Sequence, residues 1–320
     1  MPAAPHNVAF RAKLGFVVAA ASAAILFGAS SADGGHWRDA ARMPLPRTED
    51  GVGELGGLIY VVGGFGGGDF GERSVQAYDA KSDVWKVLAP LPQGLNHAGV
   101  AGYNGKLYVF GGFADSGGAT ARCEAYDPTS DRWRAIAPMP TKRGAPAVAV
   151  LDGKIHVVGG NDGSSLTAHE VYDPASNTWS ARKALPVGRD HMGLVAIGGK
   201  LYALAGRIDT HAHNTDFNDE YDPVSNSWRE RARMPTRRSG VAAVAYSGRA
   251  LVIGGELPGG VFVDNEAYDP KTDSWSSLAP LPAGRHGTGA AVVGDKLYLP
   301  AGGAVEGGGR PTDTMWVFSL

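Results

Sequence analysis

Five arginines occupy one recurring place in this chain. Three residues past the prolines of its Leu-Pro and Met-Pro pairs, at Pro44, Pro92, Pro140, Pro186, Pro235 and Pro282, stand Arg47, Leu95, Arg143, Arg189, Arg238 and Arg285. Guanidinium forks match carboxylates, phosphates and acidic side chains, so a mouth that gathers several of them is expected to take an anionic or hydroxyl-rich ligand: a glycan, a sugar acid or an acidic peptide. Next to these positions come Asn96, His97, Asp190, His191, Ser239 and His286, and a second set of segments adds Phe65, Phe113, Asn161, Arg207 and Glu256. His97, His191 and His286, with Asp190 or Glu256 as carboxylate partners, are the acid–base candidates. The arginines have a competing explanation, since a repeated arginine also serves to pair with a nearby acid or backbone carbonyl. Asn96, His97, Asp190, His191, Arg207, Glu256 and His286 break the repeat, and a scaffold has no reason to vary them.

A polar insertion runs from Arg207 to Asp216. Within it His211 and His213 alternate as two ligands on one side of an extended segment would, with Asp209 and Asp216 able to add oxygen. A solvated loop or a lid over the mouth is the leading reading there and a metal site the minor one. No cofactor is expected. The single cysteine, Cys123, has no internal disulfide partner and no zinc-ligand spacing around it, so it reads as a small buried packing residue. No nucleophile elbow, phosphate-binding loop or dinucleotide fingerprint stands on suitable elements.

The elements that must position these residues recur with a period. Tryptophans at 37, 85, 133, 179, 228 and 275 are spaced 48, 48, 46, 49 and 47 residues apart, which marks a repeat protein. Each unit reads as four short strands. The first two are joined by tight turns such as Asn104-Gly105, Asp152-Gly153, Gly198-Gly199 and Ser247-Gly248. The second strand ends at a glycine pair: Gly63-Gly64, Gly111-Gly112, Gly159-Gly160, Gly254-Gly255, Gly302-Gly303, and the variant Ala205-Gly206. The third ends in Tyr-Asp, usually with proline next, at Tyr78, Tyr126, Tyr172, Tyr221 and Tyr268, and the fourth carries the tryptophan. Antiparallel order puts the start of the first strand and the end of the second on one side, where both sets of candidate residues meet.

Four-stranded antiparallel units around an axis make a β-propeller. The glycine pair, tyrosine and later tryptophan, in that order over about residues 34–320, resemble the kelch repeat of the galactose-oxidase-like superfamily, in a form exported by bacteria. The resemblance implies an all-β, six-bladed propeller whose large aromatics fill the wedges between blades. The last repeat ends at Trp316-Val317-Phe318 with no fourth strand, and Trp37 precedes Met43 by the same six residues that separate Trp85 from Leu91. His36 to Arg42 is therefore expected to complete the blade begun by residues 281–320, leaving no free edge. Repeats are expected over about 43–90, 91–138, 139–184, 185–233, 234–280, and 281–320 plus 33–42. The superfamily also contains copper oxidases, whose ligand motif is not found here, and sialic-acid mutarotases, which share the fold and an exported location but no residue-level motif. A binding module is thus the leading function, a sugar-directed mutarotase or epimerase the alternative, and a structural envelope protein the third.

Residues 1–32 differ in kind. Arg11 and Lys13 precede an acid-free apolar run from Leu14 to Gly28, and Ser30-Ser31-Ala32 offers a cleavage site, the pattern of a signal peptide. The expected product, residues 33–320, is exported to the periplasm or beyond, without a membrane span, and acts as a monomer. The net charge of −2 and the lack of a basic stripe argue against nucleic acid and for a peptide, protein or sugar partner at the mouth.

Overall fold

Hairpin turns organise the chain. Asn104 and Gly105, Asp152 and Gly153, Gly198 and Gly199, and Ser247 and Gly248 all have positive φ, between 46° and 75°. This is the turn whose twist matches that of the flanking strands. The register follows, with Tyr103 opposite Lys106 and Tyr246 opposite Arg249.

The structure is a computed structural model that describes residues 34–66 and 72–320. The expected signal segment, residues 1–32, lies outside the described residues. Among the described residues there are six four-stranded antiparallel sheets, the blades. Blade 1 comprises Gly51–Leu55, Leu58–Val62, Val75–Asp79 and Val84–Val87. Blades 2 to 5 repeat the order from Gly99, Ala147, Gly193 and Ala242. Blade 6 takes Ala291–Val293, Lys296–Pro300 and Met315–Ser319 from the C-terminal end and His36–Asp39 from the other, with Trp37 opposite Phe318 and Asp39 opposite Trp316. The innermost strands of successive blades touch, from blade 6 back to blade 1. The expected six-bladed, strand-closed ring is what forms.

The core lies between blades. Tyr126 and Tyr60, from adjacent blades, pack edge to face at 6.2 Å, and Tyr108 packs with Tyr172 at 5.9 Å. Cys123 is buried and free, and burial pushes its thiol up to about 12. Each wedge also has a polar tie. The indole N–H of Trp133 donates to the Ala89 carbonyl of the preceding blade at 2.9 Å, and five other tryptophans repeat the bond.

One register differs from expectation. The left-handed pair that ends the second strand of blade 6 is Ala301 and Gly302, with φ of 58° and 89°, while Gly303 has moved on to pair with His286. It matches Ala205-Gly206 of blade 4, so the visible Gly302-Gly303 doublet sits one residue late.

Candidate functional site

The two sets of segments meet as their antiparallel order requires. The residue after each arginine position pairs with the residue that follows the left-handed pair: Thr48 with Phe65, Asn96 with Phe113, Gly144 with Asn161, Asp190 with Arg207, Ser239 with Glu256, and His286 with Gly303. The next residue along, in every blade, is left-handed: Glu49, His97, Ala145, His191, Gly240 and Gly287, with φ between 49° and 63°. Their main chains bond from blade to blade. His97 N–H donates to Glu49 O, Ala145 to His97, His191 to Ala145, Gly240 to His191 and Gly287 to Gly240, at 2.8–3.4 Å, and Asp50 N–H closes the circle on Gly287 O at 3.3 Å. This ring rims a small chamber of about 100 Å³ on the propeller axis.

The arginines do not open onto it. Arg143, Arg189 and Arg238 have 0% of their surface exposed, and Arg47 and Arg285 are buried as well. Each turns into its own blade. Arg143 pairs with Glu170, Arg189 with Asp219 at 2.8 Å, and Arg238 with Glu266 at 2.5 Å, all at the second residue of the third strand. Arg47 donates to Ser74 Oγ, and Arg285 lies over the Trp316 ring at 4.5 Å. The expectation of a guanidinium-lined mouth is therefore corrected in favour of its competitor, a repeated structural pair. A charge removed from water needs its partner close by, and the third strand supplies that partner within the blade.

The irregular residues do converge. Asp190 accepts from Asn161 Nδ2, Ser165 Oγ and Arg207 Nε, at 3.1, 2.5 and 3.1 Å. His191 Nδ1 lies 2.5 Å from Asp190 Oδ1, and His191 Nε2 lies 2.9 Å from Arg207 Nη2. Arginine can only donate, so the His191 proton sits on Nδ1 and faces Asp190. Burial, then the Arg207 charge, lowers the His191 pKa. Burial alone would raise Asp190, but the bonds from His191, Ser165 and Asn161 outweigh it and hold this carboxyl below the usual range. Arg207 Nη1 reaches Glu256 Oε1 at 2.7 Å, and Glu256 Oε2 accepts from Gly307 N–H at 2.8 Å. His286 is buried, with Nε2 2.6 Å from Val305 O and Nδ1 3.3 and 3.5 Å from carboxylate oxygens of Glu49 and Glu256. His97 holds Asn96 Oδ1 at Nδ1, 2.6 Å away, and Glu49 Oε2 at Nε2, 2.9 Å away. The half-buried rings of Phe65 and Phe113 flank His97 edge-on at 5.8 and 5.5 Å.

Two residues at the centre were not anticipated. Glu49 is the blade 1 counterpart of His97 and His191. Burial raises its carboxyl, yet His97 first, then His286 and His191, hold it well below the usual range. Its signal was present: aligning the second residue past each arginine position gives Glu49 beside two histidines. Asp50, one layer deeper, is driven by burial up to about 8. Thr288 Oγ1 lies within donating distance of both Asp50 Oδ1, at 3.1 Å, and Pro300 O, at 2.7 Å, and its bond to Asp50 offsets only part of the effect of burial.

The insertion is corrected too. His211–His213 is a single 3₁₀ turn, not an extended segment. Residues two apart on a helix of about three residues per turn diverge, so these histidines do not share a side. Asp209 is tied to Ser165 and Asp216 to Arg233 and Arg237. The loop instead walls the mouth, where Asn214 Nδ2 donates to Glu256 O at 2.7 Å.

Comparison with known proteins agrees with the architecture. The KLHDC2/KLHL20/DRC7 Kelch-repeats domain model matches residues 36–206, and the Kelch motif model matches residues 188–235 and 237–282. No curated protein matches the chain. Among solved structures, one titled "Structure of YjhT" superposes with a TM-score of 0.74 at 19% identity, over 85% of this chain and 95% of that one. At that identity the likeness concerns the fold. With repeat models covering five blades and the sixth closed by both ends of the described chain, the protein belongs to the kelch-repeat β-propeller family.

Proposed function

We propose that this kelch propeller is an exported binding module whose mouth takes a small hydroxyl-rich ligand, a neutral or cationic sugar, over His97, His191 and Arg207. The observation that carries the reading is the convergence of the repeat-breaking residues on one chamber, while the repeated arginines turn away from it. Donors and acceptors alternate there within a few ångströms, as a polyol needs, and Phe65 and Phe113, packed against His97, add apolar surface beside them. Charge narrows the class. Glu49 lines the chamber, and Asp190 and Glu256 beside its histidines share the guanidinium of Arg207, so the anionic ligand suggested by five mouth arginines loses its basis. Export rests on residues 1–32.

A ligand that prefers the folded ring raises its melting temperature. Neutral and amino sugars are expected to shift the melt, and Arg207→Ala to remove the shift. A response confined to sugar acids or acidic peptides would refute the charge argument. The Asp190–His191 pair, with its proton fixed on Nδ1 and its Nε2 lone pair held by Arg207 Nη2 until a substrate displaces that donor, supports a second reading as a sugar mutarotase or epimerase. Anomer exchange followed by NMR, lost in folded His191→Ala, is its signature; no exchange with any bound sugar leaves the binding module alone.

A further inference from the structure

Glu49, His97 and His191 are more than a polar wall. They occupy equivalent left-handed positions of blades 1, 2 and 4, and the other three such positions are Ala145, Gly240 and Gly287. Those small residues leave space around the axis between the three donors. A Cβ on Gly287 would lie 2.7 Å from the Glu49 carboxylate, so glycine there is what makes room for it. One donor atom from each of Glu49, His97 and His191 lies within 4.8 Å of the others.

The tautomers point the same way. Nδ1 of His97 is held by Asn96 Oδ1 at 2.6 Å and Nδ1 of His191 by Asp190 Oδ1 at 2.5 Å. In both blades the residue just before the histidine fixes its far nitrogen, leaving Nε2 toward the axis. That is how metal-ligating imidazoles are held. His97 Nε2 and Glu49 Oε2 are 2.9 Å apart, and two donors at right angles, each about 2.0–2.1 Å from one ion, lie about 2.9 Å from each other. Glu49 carries a buried negative charge whose neighbours are imidazoles. Asp190 and Glu256, by contrast, already share Arg207.

We propose that Glu49 Oε2, His97 Nε2 and His191 Nε2 form a site for one divalent first-row metal ion, with the positions beyond Ala145, Gly240 and Gly287 left for ligand oxygens. Two imidazoles and one carboxylate, with further coordination positions open, are a donor set that zinc and its first-row neighbours accept. The second cluster, Glu49 with Glu256 and His286, is the weaker claimant, because Glu256 is bound to Arg207 and Gly307 and His286 Nε2 to Val305 O. Arg207 competes with the ion: its Nη2 takes the His191 Nε2 lone pair at 2.9 Å and must release it, keeping Asp190 and Glu256. The proposal departs from the expectation of no cofactor, and it uses the same chamber as the sugar reading without depending on it.

The test is titration of the chelator-treated, purified protein with Zn²⁺ alone by calorimetry, and with Co²⁺ alone by visible absorption. One ion per chain is expected, with Co²⁺ bands in the visible. Glu49→Gln and His97→Gln weaken Zn²⁺ by roughly tenfold or more, and His211→Ala with His213→Ala leaves it unchanged. Arg207→Gln tightens it severalfold, a gain that misfolding cannot mimic. Absence of stoichiometric uptake by the unmodified protein overturns the proposal, as does uptake indifferent to Glu49→Gln and His97→Gln in folded variants, or uptake lost with His211 and His213. No sugar enters the experiment, so the metal site and the sugar reading can each fail alone.

Discussion

In blades 3 to 6, an arginine's partner is set by a single residue on the third strand. Where that residue is Glu170, Asp219 or Glu266 the guanidinium forms an ion pair; where it is Trp316 the guanidinium stacks on the ring. Blade 2 has leucine at the arginine position, and its third-strand Glu124 turns to Arg122 at 2.5 Å. The repeat made these arginines visible in the sequence, but their direction was not, because the partner lies a strand and a long loop away. Another buried pair responds to pH. His169 Nδ1 faces the Lys183 carbonyl at 3.2 Å, and its Nε2 faces His156 Nδ1 at 2.9 Å, a chain that works with both rings neutral. Burial, then nearby Arg182 and Lys154, lowers His156 to about 4, and burial, then His156, lowers His169 to about 3. The unfolded chain, with histidines near 6.5, binds protons that the folded one refuses, so stability is full above that pH and falls as the pH drops toward about 4. The loss is on the order of 3 kcal/mol for each ring. Replacing the pair by Tyr and Asn, which blade 4 carries at the same places as Tyr202 and Asn218, should flatten urea-derived stability across that window. An unchanged slope would show that other groups set it.

Between strands, the turn that follows each Tyr-Asp does more than reverse the chain. Asp131 sits at a φ of 51°. Its Oδ1 accepts both from Tyr126 Oη at 2.6 Å and from Ala89 N–H of the preceding blade at 2.9 Å. Asp83, Asn177, Asn226 and Asp273 repeat both bonds. Asp131→Ala strands a buried hydroxyl and puts a β-carbon in the left-handed region without a polar side chain to compensate, a loss of about 2–3 kcal/mol in chemical denaturation. Asp131→Asn, which copies blades 3 and 4, should stay within about 0.5 kcal/mol of the parent; equal losses in the two variants would mean that charge, not the shared acceptor, ties the blades. The sequence made tyrosine and tryptophan legible as wedge packing, since size and period suffice for that. The acid or amide five residues past each tyrosine read only as a turn former, because its second partner belongs to the neighbouring blade.

Over the whole ring, closure was legible because the last repeat shows only three strands and the stretch around Trp37 has the form of the missing fourth. Deleting residues through Asp39 removes the Trp37 strand and its bond to Ala279 O. It should lower the melting temperature by roughly 10 °C. A circular permutant that joins Leu320 to Gly34 by a short turn and opens the chain before Met43 should recover most of it; failure to recover would mean that the strand matters for more than pairing. The chamber was legible only in part, because the histidines and Arg207 break the repeat conspicuously whereas Glu49 breaks it at a place where one acid among many draws no notice. The circle of hydrogen bonds that rims this chamber is made of main-chain atoms alone. The side chains at its six left-handed positions therefore carry none of that closure, and they behave as letters that can be respelled wherever their neighbours leave room, as Gly287 leaves room for Glu49. The alphabet favours residues that tolerate a left-handed backbone, with glycine least strained, although Glu49 and Ala145 show that other side chains are held there too. New chemistry can thus arise at the axis of such a ring one letter at a time, without loosening a blade.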